Sequence, residues 1–177
     1  MTGFAGRLTE KYLFPDYMAP NVYDMDFEIL ASLGVKGLIL DIDNTLVKPG
    51  EKRPDDRTER WFEAARDGGF KVCLLSNSSR RRVAGFASGS GVFAVAKAGK
   101  PLRRGFIKAM RLLKCDASQV CVIGDQIFTD ILGAKRLGLT AVLTEPFTKR
   151  EEPLVALKRF PEFFIKSMIK RRADSAQ

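Results

Sequence analysis

The chain has 177 residues, ample for one domain with a buried core, and its 45% hydrophobic content is that of a globular chain and not of a disordered one. It contains no histidine, which rules out Ser-His and Cys-His nucleophile pairs and histidine-ligated zinc, so any site here must use carboxylates, Lys, Arg or hydroxyls. A formal net charge of +9 points to an anionic partner such as a phosphorylated substrate, an acidic lipid surface or nucleic acid, with plain solubility as the alternative.

In chain order, residues 1–22 read as an N-terminal arm. Phe4, Leu8, Tyr12, Leu13 and Phe14 offer one apolar helical face, and Pro15 and Pro20 then break the segment into an extended stretch packed on the core. This opening has no apolar run long enough for a secretory signal. Tyr23 to Leu33 predicts a helix with Met25, Ile29, Leu30 and Leu33 on one side, stopped by Gly34. Next comes Lys36 to Val47, KGLILDIDNTLV. The apolar run Leu38-Ile39-Leu40 reads as a fully buried strand, and it ends in Asp41 and Asp43, one residue apart. Strand ends are where open α/β sheets bind ligands. Two carboxylates so close repel unless a cation or a shared proton offsets the repulsion. The alternative is that one caps a turn and the other is solvated.

Residues 48–54 form a polar loop, and Asp55 or Asp56 can cap a helix running to Asp67 with Trp61, Phe62, Ala64 and Ala65 facing inward. Val72 to Leu75 is a second strand, leading into Ser76-Asn77. A helix starting near Ser78-Ser79 carries Arg80, Arg81 and Arg82, and Val92 to Ala96 is a short third strand. Lys97 and Lys100 follow; the Lys100-Pro101 step opens a helix over Leu102–Leu113 with Phe106, Ala109, Met110 and Leu113 buried. Val120 to Ile123 is a fourth strand ending in GDQIFTD, which includes Asp125 and Asp130. A helix over Ile127–Leu137, closed by Gly138, precedes a fifth strand at Thr140–Leu143. Strand alternating with helix predicts an α/β fold: three layers around a doubly wound, parallel, five-stranded Rossmann-like sheet. Cys73, Cys115 and Cys121 read as free thiols, which suits a reducing cytoplasm. No run of about 18 apolar residues occurs, so no membrane span is expected.

The tail, residues 149–177, is basic and amphipathic. Phe160, Phe163, Phe164, Ile165, Met168 and Ile169 alternate with Lys158, Arg159, Lys166, Lys170, Arg171 and Arg172. It reads either as an element lying on an anionic membrane surface or as a helix whose apolar side packs on the sheet.

Four stretches taken together resemble the haloacid dehalogenase-like phosphohydrolases: LDIDNTL at Asp41 and Asp43, Ser76-Asn77, Lys100-Pro101, and the GDxxxxD form at Asp125 to Asp130. They come in the family's order, and three directly follow an apolar run. The resemblance covers about residues 36 to 145, within a phosphatase domain over residues 23–148. It implies Asp41 as nucleophile, forming an aspartyl-phosphate, and Asp43 as acid and base. Ser76, Asn77 and Lys100 would meet the substrate phosphate. One Mg²⁺ would be held by Asp41, the backbone carbonyl of Asp43 and Asp125, with Asp130 as an outer ligand or as the residue that orients Lys100. Lys97 competes with Lys100 for the third motif, and Asp130 could instead cap its helix. At least one of Arg80, Arg81 and Arg82 could hold a second phosphate, the alternative being a solvated helix end.

The intervals between motifs leave no room for the cap domain that many relatives insert. The site is therefore expected to be capless: open to a large, membrane-bound or protein-borne phosphate, or covered by a neighbouring subunit in a homo-oligomer. The short chain most resembles the YqeG-like group, although Ile42 stands where relatives often carry Lys. That resemblance implies phosphatidylglycerophosphate, a lipid headgroup phosphate, as substrate; the free thiols and the basic aromatic tail in turn lead to the expectation of a cytoplasmic protein, peripheral to the inner membrane face if the tail lies on a membrane. The alternatives are a soluble metabolite or nucleotide phosphatase and, outside enzymes, a basic scaffold on nucleic acid or ribosomes. The carboxylate cluster argues against the scaffold, which has no need of it.

Overall fold

The computed structural model describes residues 4–148, 165 and 167–169. Its centre is a parallel sheet in the order β1-β6-β5-β2-β3-β4. The strands are β1 (Tyr17–Ala19), β2 (Gly37–Leu40), β3 (Lys71–Leu75), β4 (Phe93–Val95), β5 (Val120–Gly124) and β6 (Thr140–Thr144). β2 lies between β3 and β5 and is buried along its whole length, as is β5. Strands covered on both faces need no polar alternation, which is why these read as continuous apolar runs.

Helices α1 (Phe4–Leu13), α2 (Phe27–Ser32), α3 (Asp56–Asp67), α4 (Arg80–Ala87), α5 (Arg103–Leu113) and α6 (Leu132–Lys135) accompany the sheet. On one face Trp61, Phe62 and Ala65 of α3 and Val83 and Phe86 of α4 pack with Leu38, Leu40, Val72 and Leu74. On the other, Phe106, Ala109 and Leu113 of α5 pack with Ile39, Cys73, Leu75 and Val122. Phe62, Phe86 and Phe106 have no exposed surface, and burying each contributes about 1.5–3 kcal/mol. Asp55 starts α3 by accepting bonds from the Thr58 amide (2.8 Å) and hydroxyl (2.6 Å). Cys73 and Cys121 are buried and free; burial pushes both thiols up to about 12, so they stay protonated at neutral pH.

The sheet has six strands rather than five. The extra one, β1, comes from the arm and pairs in parallel with β6 at the sheet's edge. Asp16 docks it: its amide donates to the Ala141 carbonyl and its carboxylate accepts from the Ala141 amide, both at 2.8 Å. The helix expected over Tyr23–Leu33 divides into a 3₁₀ turn, Val22–Asp24, and α2, because Asn21 and Asp26 each cap their own turn. Leu30 is buried there, but Ile29 is 54% and Leu33 41% exposed. Ala64 faces solvent and Met110 is partly buried, against the expectation for both. The helix expected over Ile127–Leu137 is a π-helical turn, Ile127–Ile131, followed by α6. All of the tail's basic and aromatic residues lie outside the described residues, so the membrane-surface reading of the tail falls there too. Ile165 and Ile169 are described, and both are buried against the α5 face of the sheet.

Candidate active site

The C-terminal ends of β2, β3 and β5 converge on a cavity of about 280 Å³ lined by Asp41, Asp43, Ser76, Asn77, Ser78, Lys100, Gln126 and Thr129. No domain is inserted above it among the described residues, and no residue of the 48–54 loop lines it. Asp41 continues β2, its amide bonded to the Ile123 carbonyl (3.1 Å), which fixes it beside the end of β5. Lys100 reaches in from the loop before α5. Its ammonium lies 2.6 Å from a carboxylate oxygen of Asp41 and 2.6 Å from one of Asp130, with all three side chains buried. Lys97 is exposed, so geometry separates the two lysines that the sequence left in competition.

Asp130 is aimed by the π-helical turn. Its second oxygen accepts from the Gln126 amide and the Thr129 hydroxyl, both at 3.3 Å. Such turns add a residue to the helical ladder and are frequent at functional sites. Gly124 makes room for Asp130: a Cβ there would lie 2.5 Å from the Asp130 carboxyl carbon. Asp125 is fully buried, with the Thr45 hydroxyl donating to it at 3.4 Å. Asp41, Asp125 and Asp130 each offer an oxygen within 4.8 Å of the others.

Electrostatics sets the tone of this centre. Burial pushes the Asp41 carboxyl up to about 6, against the pull of the Lys100 ammonium and with the help of Asp130 and Asp43. For Lys100, burial alone would favour the neutral amine, but the Asp130 and Asp41 carboxylates outweigh it and hold the ammonium above its ordinary value. Three buried carboxylates thus face one buried ammonium. A divalent cation among them would balance the charge, and an all-oxygen donor set suits Mg²⁺.

Asp43 points elsewhere. Its carboxylate pairs with Arg82, accepts from the Ser78 hydroxyl (3.4 Å) and from the Gly50 amide (3.4 Å), and stays outside the three-carboxylate group. Ser76 is buried, and its hydroxyl accepts from the Ser78 amide at 3.1 Å. Asn77 holds Lys100 by its backbone, accepting from the Lys100 amide (2.8 Å) and donating to the Lys100 carbonyl (3.3 Å). Arg80 and Arg81 are exposed, leaving Arg82 as the member of the trio that reaches the site.

Sequence reasoning missed Ser78, Thr45, Gln126 and Thr129. A hydroxyl or amide next to a motif residue carries little signal of its own. The choice of Arg82 within its trio was legible in principle: Ser79 caps α4 by accepting from the Arg82 amide, which fixes the phase of the first turn. Asn44 adds a further tie. It sits in the left-handed region (φ 66°), and its side-chain oxygen accepts from the Thr148 amide (3.2 Å) and hydroxyl (2.8 Å).

A model of the haloacid dehalogenase-like hydrolases matches residues 49–138. The chain is 34% identical over 165 residues to the probable phosphatase YqeG of Bacillus subtilis (strain 168), across 93% of this chain and 96% of that protein. It is 28% identical over 162 residues to phosphatidylglycerophosphate phosphatase 1, chloroplastic, of Chlamydomonas reinhardtii, across 85% of this chain and 60% of that longer protein. Among solved structures, the 3-deoxy-D-manno-octulosonate 8-phosphate phosphatase from Yersinia pestis superposes with a TM-score of 0.53 over 75% of this chain and 74% of that one; at 19% identity this is a likeness of fold. A relative matched nearly end to end, and a family model matching half of the chain from β3 through β5, leave one assignment: the chain belongs to the haloacid dehalogenase-like hydrolases, as a phosphatase of that family.

Proposed function

We propose that the chain hydrolyses a phosphomonoester through an aspartyl-phosphate on Asp41, with Mg²⁺ as cofactor, and that the substrate is phosphatidylglycerophosphate. The observation that carries the chemistry is the buried ammonium of Lys100 bridging Asp41 and Asp130 beside Asp125. Asp41, Asp125 and the Asp43 carbonyl would hold the ion, with Asp130 at or near it. Once bound, the ion neutralises charge on the transferring phosphoryl group.

An Asp41 carboxylate oxygen attacks phosphorus, and the bond to the ester oxygen breaks as the new Asp41–phosphorus link forms. Asp43 gives its proton to the departing alkoxide. It then takes a proton from a water molecule whose oxygen attacks the same phosphorus, releasing inorganic phosphate and regenerating Asp41. Ser76 would bond a phosphate oxygen, Lys100 offsets the charge of Asp41, and Asn77 keeps the Lys100 backbone in register. Ser78 and Arg82 orient Asp43.

The substrate reading is supported by the similarity to a phosphatidylglycerophosphate phosphatase and by the open site. It is also supported by Leu102, an apolar side chain that is 62% exposed and lies two residues along the chain from Lys100. Peripheral contact with an anionic membrane belongs to this reading. A soluble metabolite phosphatase is the second reading, favoured by the burial of Ile165 and Ile169, which withdraws two apolar tail side chains from any membrane.

Phosphate release should be measured from phosphatidylglycerophosphate in mixed micelles beside a panel of soluble esters, with Mg²⁺ and with excess chelator. The proposal expects metal-dependent turnover with the lipid preferred by at least tenfold in kcat/KM. Full turnover in chelator overturns the mechanism, and a soluble ester preferred over the lipid overturns the substrate.

A further inference from the structure

A second cavity, of about 900 Å³, lies between the 48–54 loop and α4. Lys52, Arg53, Arg81 and Arg82 line it, against a single carboxylate, Glu59, and that carboxylate already accepts from the Ser90 hydroxyl at 2.6 Å. Among the described residues Lys52, Arg53 and Arg81 pair with no acid. Cations crowded around a concave surface without counter-charges repel one another, a cost that an anion of matching size removes.

The cavity adjoins the reaction centre. Gly50 and Arg82 both line it, and both bond the carboxylate of Asp43: Gly50 through its amide at 3.4 Å, Arg82 through its guanidinium. Arg82 also donates to the Glu51 carbonyl, which holds the loop as the cavity's far wall. Asp43 is thus the partition, with the Lys100 site on one side and the basic cavity on the other. A group covalently attached to the leaving oxygen that Asp43 serves can extend directly into the basic cavity.

Resting on the phosphatase reading, we propose that this cavity is a subsite for a second phosphate of the substrate, so that the enzyme selects phosphomonoesters that also carry a phosphodiester or another phosphate on the leaving alcohol. The guanidinium forks of Arg53 and Arg81 match phosphate oxygens two at a time, which gives the selection its geometry. The same chemistry occurs in a lipid headgroup and in a soluble bisphosphate, and the subsite reads the phosphate rather than the acyl chains.

The test compares kcat/KM for glycerol 3-phosphate with that for glycerophosphoglycerophosphate, the deacylated compound with one phosphomonoester and one phosphodiester, using the full chain with Mg²⁺. The intact enzyme is expected to favour the second by at least tenfold. Arg53→Gln/Arg81→Gln should cut that ratio about tenfold, while Lys71→Gln/Lys108→Gln, exposed positions that lose equal charge away from the cavity, should leave it as it was. Gly85→Leu provides a test without charge: a Cβ at Gly85 meets nothing closer than the Lys52 carbonyl at 4.0 Å, so the longer side chain folds into the cavity and should lower the ratio likewise. Equal turnover of both compounds, or a ratio unmoved by these changes, overturns the subsite while the phosphatase reading stands. A loss confined to anionic vesicles assigns these arginines to a membrane surface and also overturns it. If neither compound is hydrolysed the phosphatase reading fails, and the subsite is then judged by calorimetric binding of glycerophosphoglycerol, which should be weakened about tenfold in the Arg53/Arg81 variant; undiminished binding overturns it.

Discussion

Gly124 is the last residue of β5, and replacing it with Ala tests how tightly the fold holds its reacting groups. The added methyl would lie 2.5 Å from the carboxyl carbon of Asp130 and 2.6 Å from its Cβ and Oδ2. Carbon atoms rest at about 3.5–4.0 Å, so Asp130 must retreat by roughly 1 Å. Overpacking of this kind costs about 1–3 kcal/mol. The same retreat stretches the 2.6 Å bond between Asp130 and Lys100, and with it the placement of the ammonium on Asp41. A misplacement of about 1 Å lowers turnover by about 10²-fold. Phosphate release under saturating Mg²⁺ gives kcat/KM, and urea melts give stability. Gly133→Ala is the comparison: its methyl would strike the Phe106 ring at 2.3 Å, within the core. It should lose comparable stability but keep kcat/KM of the folded enzyme within about threefold of the wild type. If both variants lose activity alike, general loosening and not the position of Asp130 explains the loss. If Gly124→Ala melts and turns over as the wild type does, the crowding argument is wrong.

Asp41→Asn should abolish turnover while keeping the fold. In the metal-free wild type the folded chain binds the Asp41 proton more tightly than the unfolded chain, so the carboxyl's contribution is fully present below pH 3.8 and is lost as pH rises through about 6, a difference of about 3 kcal/mol. With chelator present, the Asn variant should therefore lose less Tm than the wild type between pH 5 and pH 7.5; parallel losses contradict the assignment. Lys100→Met leaves two buried carboxylates without their cation and should cost about 3–5 kcal/mol at pH 7.5 in urea melts, less at pH 5 where they can take up protons; equal loss at both pH values counts against the ion-pair account. Truncation after Thr148 removes Ile165 and Ile169 from the α5 face and should lower Tm, each buried Ile contributing about 1.5–3 kcal/mol. Turnover of a small ester by the folded fraction should persist, and its disappearance would make the tail part of the site.

The strands that build the site were legible because parallel strands covered on both faces must be apolar throughout. Leu38 to Leu40, Val72 to Leu75 and Val120 to Ile123 could be read directly, and so could the carboxylates that break those runs. β1 was not legible. Three residues with Tyr17 and Met18 partly in solvent show no periodicity, and the pairing depends on Asp16 meeting Ala141 far along the chain. The short helix α2 was misread because local caps at Asn21 and Asp26 outweighed an apolar spacing that looked continuous. In the site, acidic groups stood out by their cost of burial, whereas Ser78 and Thr129 have no such cost and leave no mark in the sequence.

The bond between Asn44 and Thr148 also has a topological result. Asn44 immediately follows Asp43, so the loop that carries Asp43 is tied to the chain just after β6. A displacement of Thr148 is thereby passed to the loop that carries Asp43. Strain entering at Thr148 reaches that loop directly, whereas strain entering at Lys71, where β3 starts at the opposite end of the sheet, must cross the length of the strand first.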